Sequence, residues 1–303
     1  MPYAPTDLGV SATPLRWGLA AFVVLAAGQA HAQALDEFAG VRTMSMGGVQ
    51  RAVGTTNDAI YANPAGIALE PRYDIEVAYM RSHMDGVNAF NASVVDGRTG
   101  PVAGGLAYTY TGSGARDTGL HRFYAPLAMT VSNALSLGLT VKHLSGHYMS
   151  AFDDTVKPSL WSGDLGALAK LSDTLRVGLS ARNIWRNERS ALLRRDLGAG
   201  LAYVSADNSI TISGEGVWDL EDKTRATAWR AGAEYVAGGS FPLRVGYQHR
   251  PYTARDGSDA HENVLSAGAG IDFGGAGSLN VGYESSLDRH DTWKLGFNAA
   301  LKL

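Results

Sequence analysis

Histidine, serine and aspartate side chains, which hydrolytic enzymes use, occur close together in the middle of the chain. His143, Ser145 and His147 alternate with other residues, and Asp153 and Asp154 follow them. A serine nucleophile needs a histidine base within hydrogen-bonding reach and a third group that orients this base. Side chains two positions apart on a β-strand point to the same face, so a strand would place Ser145 beside both histidines.

The surroundings of this group favour a different interpretation. Leu139 and Val141 precede it on the same face, so the face is apolar and the polar residues lie where a strand passes into a loop. His143 and His147 are four residues apart, a spacing that suits a metal site on a helix better than on a strand. The pattern matches no catalytic motif, and the glycine-rich pieces lack the context of a phosphate site. We therefore predict no enzyme, no metal site and no cofactor.

Composition argues against two further classes of protein. The formal net charge is −3, which gives no basis for binding nucleic acid through bulk electrostatics. The chain has no cysteine, so a disulfide framework is excluded and stability must come from backbone pairing and packing.

The N-terminus has the pattern of a secretory signal peptide. Arg16 precedes an apolar run from Trp17 to Ala27, and Ala30, His31 and Ala32 form a small-x-small cleavage pattern. We predict a signal peptide over residues 1–32, with cleavage after Ala34 as the alternative. No other apolar run is long enough for a membrane-spanning helix, so any membrane residence must come from strands.

From Tyr73 onward, apolar and polar residues alternate in segment after segment. In the last segment Trp293 and Phe297 lie on one face, and Lys294 and Asn298 lie on the other. Such segments recur about fourteen times, each about ten to thirteen residues long, as is typical of tilted strands that span a membrane.

A soluble β-sandwich and an outer-membrane β-barrel both fit alternating strands, but three features favour the barrel. Its polar faces are rich in glycine, which saves space inside a barrel and contributes nothing on a water-facing surface. Aromatic residues lie near strand ends, where they meet a membrane boundary. The chain also ends inside an apolar strand, although on Leu303 rather than on an aromatic residue. We predict an all-β fold, a transmembrane antiparallel β-barrel.

The segment before the strands does not alternate and reads as short helices and turns. Gly47 and Gly48 permit tight turns, Asn57 or Asp58 can cap a helical turn, and proline ends it by restricting its predecessor. The motif consists of Gly47, Gly48, Asp58, Asn63, Pro64 and Ala65. This order resembles the N-terminal hatch of the FadL and PorV/PorQ outer-membrane barrels. We therefore divide the chain into the signal peptide (1–32), a plug segment (33–70, "the plug") and the outer-membrane barrel (71–303).

The resemblance implies passive uptake of a hydrophobic small molecule, which enters an apolar pocket and leaves sideways into membrane lipid through a gap beside a kinked strand. Pro126 is the candidate for the gap, because proline cannot donate a ladder hydrogen bond; a bulge or strand end is the alternative interpretation. Met44, Met46, Ile60 and Phe90 are the candidates for the pocket.

The predicted inward faces carry charges of both signs, which favours a paired network that holds the plug over an apolar channel. These residues are Asp74, Glu76, Lys142, Asp164, Lys170, Arg176, Arg182, Glu215, Arg230, Glu234, Arg244, Asp272, Glu284 and Lys294. The alternative function is therefore that of the PorV-like barrels, which act as envelope partners of a secretion or surface machine.

Overall fold

The structure is a computed structural model. It describes residues 38–54, 56–83, 86–114, 117–149, 154–190, 192–221, 227–253, 259–289 and 292–303. The predicted signal peptide lies outside the described residues.

Long antiparallel strands follow each other along the chain from residue 73. The first eight are β1 (Tyr73–Ser82), β2 (Val87–Asp96), β3 (Val102–Ser113), β4 (Thr118–Ser132), β5 (Leu135–Met149), β6 (Thr155–Val156), β7 (Ser159–Lys170) and β8 (Leu175–Arg186). The others are β9 (Asp196–Val204), β10 (Ile210–Asp219), β11 (Ala228–Ala237), β12 (Phe241–Thr253), β13 (Asp259–Asp272), β14 (Gly277–Ser286) and β15 (Trp293–Lys302).

The strands close into a ring. The first strand, β1, pairs with both β2 and the last strand, β15, and β4 pairs with β5, so the sheet has no open edge. The two-residue strand β6 pairs only with the end of β5, which leaves 14 strands in the barrel. The prediction of about fourteen antiparallel strands is confirmed.

Alternation produces an apolar outer wall. Outward-facing side chains on every side of the ring are apolar and exposed, for example Val77 (44%), Leu179 (53%) and Val245 (60%). A belt of exposed apolar surface around a whole barrel requires lipid as its surroundings. Among the described residues, no helix has the length and hydropathy needed to span a membrane.

The connections differ between the two ends of the barrel. Short turns such as 133–134 and 238–240 lie at one end, whereas longer connections such as 187–195 and 220–227 lie at the other. Short turns are typical of the periplasmic end and longer loops of the extracellular end. We use these two names for the ends below.

The described part of the plug, residues 38–54 and 56–70, lies inside the barrel and contains three short helices. They are α1 (Val41–Ser45), α2 (Ala59–Ala62) and a 3-10 helix (Pro64–Ala68). The turn after α1 contains Gly47 and Gly48, with φ of 69° and 81°, a left-handed conformation that glycine adopts without strain. Helix α1 contacts β12, β13, β14 and β15, and the 3-10 helix contacts β3, β4, β5 and β7.

Candidate functional site

Asp58 joins the two halves of the plug. It is the N-cap residue of α2, as one of the two predicted candidates, but its side chain makes no capping bond to that helix. Its Oδ2 instead accepts hydrogen bonds from the backbone N–H of Thr43 (2.9 Å) and from the Thr43 hydroxyl (2.8 Å). Burial raises the pKa of the Asp58 carboxyl, while the bonds from Thr43 and the charge of Arg42 act in the opposite direction.

Asn63 connects the plug to the barrel wall. Its Oδ1 accepts a bond from the Ala65 N–H (3.3 Å) and caps the 3-10 helix. Its Nδ2 donates to the carbonyl oxygens of Arg51 (2.6 Å) and of Ala167 on β7 (3.0 Å). Pro64 is the first residue of the 3-10 helix, as expected of proline at this position.

Glycines on the inner wall allow the plug to approach the strands. Gly47 of the plug donates its backbone N–H to Ser266 Oγ (2.9 Å). A Cβ on Gly246 would overlap Gly47, and a Cβ on Gly138 would lie 2.5 Å from Ala65 N. The glycine content of the predicted inward faces is thereby explained, because a larger side chain at these positions would displace the plug.

Arg51 holds the plug through the first of two buried ion clusters, which we call the upper clamp. Its Nη1 lies 2.6 Å from Glu215 Oε1 on β10, and its Nη2 lies 3.0 Å from Asp196 Oδ1 on β9. Glu215 also pairs with Arg230 (3.0 Å), and Asp196 also pairs with Arg182 (2.6 Å). The Arg51 side chain is 1% exposed, so these pairs are shielded from water.

Arg42 forms the second cluster, the lower clamp. Its Nη2 lies 2.6 Å from Glu234 Oε1 on β11, and its Nε lies 3.0 Å from Glu234 Oε2. Arg244 on β12 pairs with the same carboxylate and donates to Asn280 Oδ1 (2.8 Å). Two arginines of the plug therefore form ion pairs with carboxylates on the inner face of the barrel. Sequence analysis predicted most of the inward barrel charges but not Asp196, Arg42 or Arg51, although both arginines are charged residues of the plug segment.

A cavity of about 290 Å³ lies in the extracellular half of the barrel, above the plug. One side is apolar and is formed by Phe38, Met44, Tyr61, Met80 and Val87. The other side carries ion-paired residues of β8 to β15. They include Arg182, Arg194, Asp196, Asp219, Arg230, Arg250, Glu284 and Lys294.

An aromatic stack leads from the apolar side of this cavity to the barrel wall. The Tyr61 ring meets the rings of Phe38 (5.4 Å between centroids) and Tyr124 (5.1 Å), both edge to face. The Tyr61 hydroxyl accepts a bond from Asn91 Nδ2 (2.6 Å), which fixes the ring. The three aromatic residues belong to one buried apolar cluster that also contains Ile60, Ile67, Ala103, Ala107 and Ala128.

The wall next to this stack has a break in strand pairing. Gly104 pairs with Leu127 and Ala107 pairs with Tyr124, but the two positions between them are unpaired on both β3 and β4. Pro126 lies at this break and its ring faces the interior. Proline has no N–H to offer β3, which accounts for the missing pairing.

The predicted pocket residues separate into three locations. Met44 lines the cavity. Met46 and Ile60 are fully buried within the plug and its packing against the wall, away from the cavity lining. Phe90 is 47% exposed on the outer face of β2, so its predicted position inside the barrel is wrong. Apolar and polar residues alternate only weakly along β2, so the sequence did not indicate which side of the strand Phe90 lies on.

The serine and histidines that suggested hydrolysis have other partners. The His143 ring packs against Trp161 at an angle of 40° and contacts Ser159 Oγ (3.3 Å), and His147 Nε2 lies 3.6 Å from Asp117 Oδ1. Within the part of the chain that the structure describes, no hydrogen bond joins either histidine to Ser145 and no cluster of three or more metal-ligating side chains occurs. Asp154 is exposed, and Asp153 lies outside the described residues.

Comparison with known proteins extends the description of the fold. No protein-family model matches the chain, and no curated protein matches it. The solved structures that resemble it include the CymD monoaromatic hydrocarbon channel, with a TM-score of 0.65, 13% identity, and coverage of 87% of this chain and 96% of that one. The Ralstonia pickettii toluene transporter TbuX gives a TM-score of 0.59 at 13% identity, covering 88% of this chain and 98% of the transporter.

A Pseudomonas aeruginosa FadL homologue is similar as well, with a TM-score of 0.58 at 11% identity over 86% of this chain and 97% of the homologue. At these identities the likeness concerns the fold. The PorV/PorQ side of the resemblance stays a prediction. The chain has the fold of the FadL-type outer-membrane barrels.

Proposed function

We propose that this protein is a passive route for hydrophobic small molecules across the outer membrane, and that it performs no catalysis. The observation that carries the proposal is the row of packed aromatic side chains, Phe38, Tyr61 and Tyr124, that connects the apolar side of the extracellular cavity to the unpaired wall at Pro126. Barrels of the same fold are described as a hydrocarbon channel and a toluene transporter. We also propose export through the signal peptide over residues 1–32.

A sideways exit fits the interior better than a straight one. The plug fills the barrel below the cavity, and both clamps bury charged groups whose separation would leave an unpaired charge in a dry interior. The wall between β3 and β4 is different, because its inward residues near the break are the small Ala103, Gly105 and Ala107. Little must move there for an apolar molecule to pass into lipid.

The cavity indicates the class of ligand. Its apolar side matches a hydrocarbon or aromatic body, as pockets for apolar ligands generally do. Its polar side consists of arginine and lysine side chains that already have carboxylate partners. This side can therefore contact a polar end group of the ligand, and the ligand does not need to carry a net charge. We propose a small molecule with an apolar body as the ligand.

The alternative function is a structural or client-holding barrel that works with an envelope protein partner. The observation in its favour is the pair of buried clamps, which keep the interior filled. This alternative requires no ligand route and predicts no uptake by the purified barrel.

The test is uptake of a fluorescent hydrophobic fatty acid into liposomes that contain the folded barrel. Pro126→Ala restores a backbone N–H opposite β3 and lets the break close, so we expect uptake to fall severalfold. The control is Pro242→Ala, because Pro242 also lies on a strand but keeps its pairing with Val236. No uptake by the unaltered barrel would favour the client-holding function, and equal loss in both variants would contradict the exit at Pro126.

A further inference from the structure

Arg81 is unusual among the residues on the outer wall. The outward side chains below it on β1 are Ile75, Val77 and Tyr79, all apolar or aromatic, whereas Arg81 presents an exposed guanidinium on the same face. It lies near the extracellular end of the strand, and no ion pair reaches it from the described part of the chain. A guanidinium on the lipid side of a barrel is tolerated near the membrane boundary and favours a phosphate partner.

Neighbouring side chains add hydrogen-bond donors to Arg81. Asn88 on β2 lies directly opposite Arg81, and its Oδ1 accepts a bond from the Tyr79 hydroxyl (2.7 Å), so its NH₂ group remains to donate. His83 follows on the same face and stacks flat on Trp293, with 4.9 Å between ring centroids. We name Arg81, His83 and Asn88 the rim site.

An apolar depression lies directly below the rim site, and we name it the outer groove. It measures about 600 Å³ and is formed on the outside of β1, β2, β13, β14 and β15. Tyr79 and Phe90 stand at its upper edge, and Ile271 and Leu279 lie at the opposite side. Its floor includes Ala269 and Ala299, whose small side chains face outward between larger ones and so make the wall concave.

We infer that the rim site and the outer groove together bind one lipid of the extracellular leaflet, a phosphorylated glycolipid, with its phosphate on Arg81, His83 and Asn88 and an acyl chain in the groove. Charge complementarity selects the phosphate, because arginine donates two parallel hydrogen bonds to phosphate oxygens. The apolar lining selects the acyl chain. The site lies outside the wall and does not depend on the route through the interior.

The dimensions agree with such a lipid. From Arg81 down to Val77 the strand extends about 14 Å, at about 3.4 Å per residue. Half of a hydrocarbon core is about 15 Å thick, so an acyl chain that starts beside Arg81 reaches along the groove within one leaflet. The phosphate then lies at the extracellular boundary, where the longer loops begin.

Lipid retention by the purified full-length mature barrel tests this inference. The folded protein in detergent is mixed with bisphosphorylated lipid A, with dephosphorylated lipid A or with phosphatidylglycerol, and bound lipid is counted by native mass spectrometry. We expect the phosphorylated form to be retained about tenfold more, the scale of one charge-assisted hydrogen bond. Arg81→Gln should remove this preference, whereas Arg98→Gln, an exposed arginine at the periplasmic end, should keep it.

The groove is tested separately. Ala299→Phe fills the floor and should lower retention of both lipid forms, whereas Ala231→Phe, on the outward face of β11, should lower neither. If Ala299→Phe fails to fold, Ala269→Leu serves the same purpose. Equal retention of the two lipid forms by the unaltered barrel, or an unchanged preference in Arg81→Gln, would overturn the inference. Preferential retention of phosphatidylglycerol over lipid A would overturn the choice of a glycolipid.

Discussion

At the scale of residues, the plug is held by a few buried charges rather than by apolar packing alone. Arg51 is enclosed by Glu215, Asp196 and Ser180, and its guanidinium donates to all three. Such groups contribute little net stability as pairs, but removal of one partner leaves a buried charge uncompensated. The effect of a substitution therefore depends on which charge it leaves behind.

Arg51→Met should destabilise the folded barrel by roughly 3 kcal/mol, the usual cost of breaking a buried ion pair. Urea unfolding in lipid vesicles measures this change. The double variant Arg51→Met with Glu215→Leu should lose further stability, because Arg230 then loses its carboxylate partner and the backbone N–H groups of Gln50 and Arg51 lose their acceptor. Arg98→Met, at an exposed position, is the control and should change stability by less than about 0.5 kcal/mol. Equal effects of the two single variants would show that the upper clamp does not hold the plug.

Asp58 should make the seating of the plug depend on pH. Because burial raises the pKa of its carboxyl above the ordinary value, the folded state binds the proton more tightly than the unfolded state. The stabilisation is complete below the ordinary pKa of about 3.9 and is lost as pH rises through the raised value. Hydrogen exchange of the plug amides should therefore quicken over this window more in the unaltered protein than in Asp58→Asn. Identical pH profiles would contradict a raised pKa.

At the scale of elements, the inner wall is shaped by the absence of side chains. Gly178 on β8 faces the plug, and a Cβ there would overlap the Arg51 carbonyl oxygen. Gly214 on β10 faces outward, and a Cβ there would lie 3.7 Å from the nearest atom, the Arg230 carbonyl oxygen. Glycine is therefore required for contact with the plug at position 178 but not at position 214.

Gly178→Ala should lower stability by about 1 to 3 kcal/mol, because overpacking forces the plug backbone to shift. Gly214→Ala is the matched control and should change stability by less than about 0.5 kcal/mol. Urea midpoints of both variants, together with protease sensitivity of the plug, measure the difference. A neutral Gly178→Ala would mean that the plug tolerates displacement at this strand.

At the scale of the whole molecule, the buried ion pairs of the plug and the unpaired positions of the wall together predict that ligands pass while the plug stays in place. The chain has no cysteine, so an engineered disulfide reports on plug movement alone. Asn57 of the plug and Ser93 of β2 offer such a bridge, because their side chains are in contact, with Asn57 Nδ2 3.0 Å from Ser93 Oγ.

The variant Asn57→Cys with Ser93→Cys should transport equally well when oxidised and when reduced. Uptake of the fluorescent fatty acid into liposomes, before and after a reducing agent is added, measures this. Single-cysteine variants control for effects of the reducing agent. Loss of uptake on oxidation, restored by reduction, would show that the plug must move and would contradict a sideways exit past a fixed plug.

The sequence alone determined the class of fold, because apolar and polar residues alternate with a period of two in most segments, and this pattern is visible without any tertiary contact. It also indicated the plug and the inward position of charged barrel residues such as Lys142 and Asp164, whose side chains form an ion pair at 2.9 Å. The alternation within each segment therefore predicted correctly which face of most strands points into the barrel.

Only the tertiary structure decided which residues meet. The partners of Arg42 and Arg51 are separated from them by more than a hundred positions, and no local pattern encodes such pairs. The predicted inward position of Phe90 was wrong because β2 alternates weakly. The aromatic stack of Phe38, Tyr61 and Tyr124 also depends on the tertiary structure, because it joins residues that are far apart in the sequence. A strand's own sequence specifies which face is apolar, but closure of the barrel around the plug decides what that face contacts.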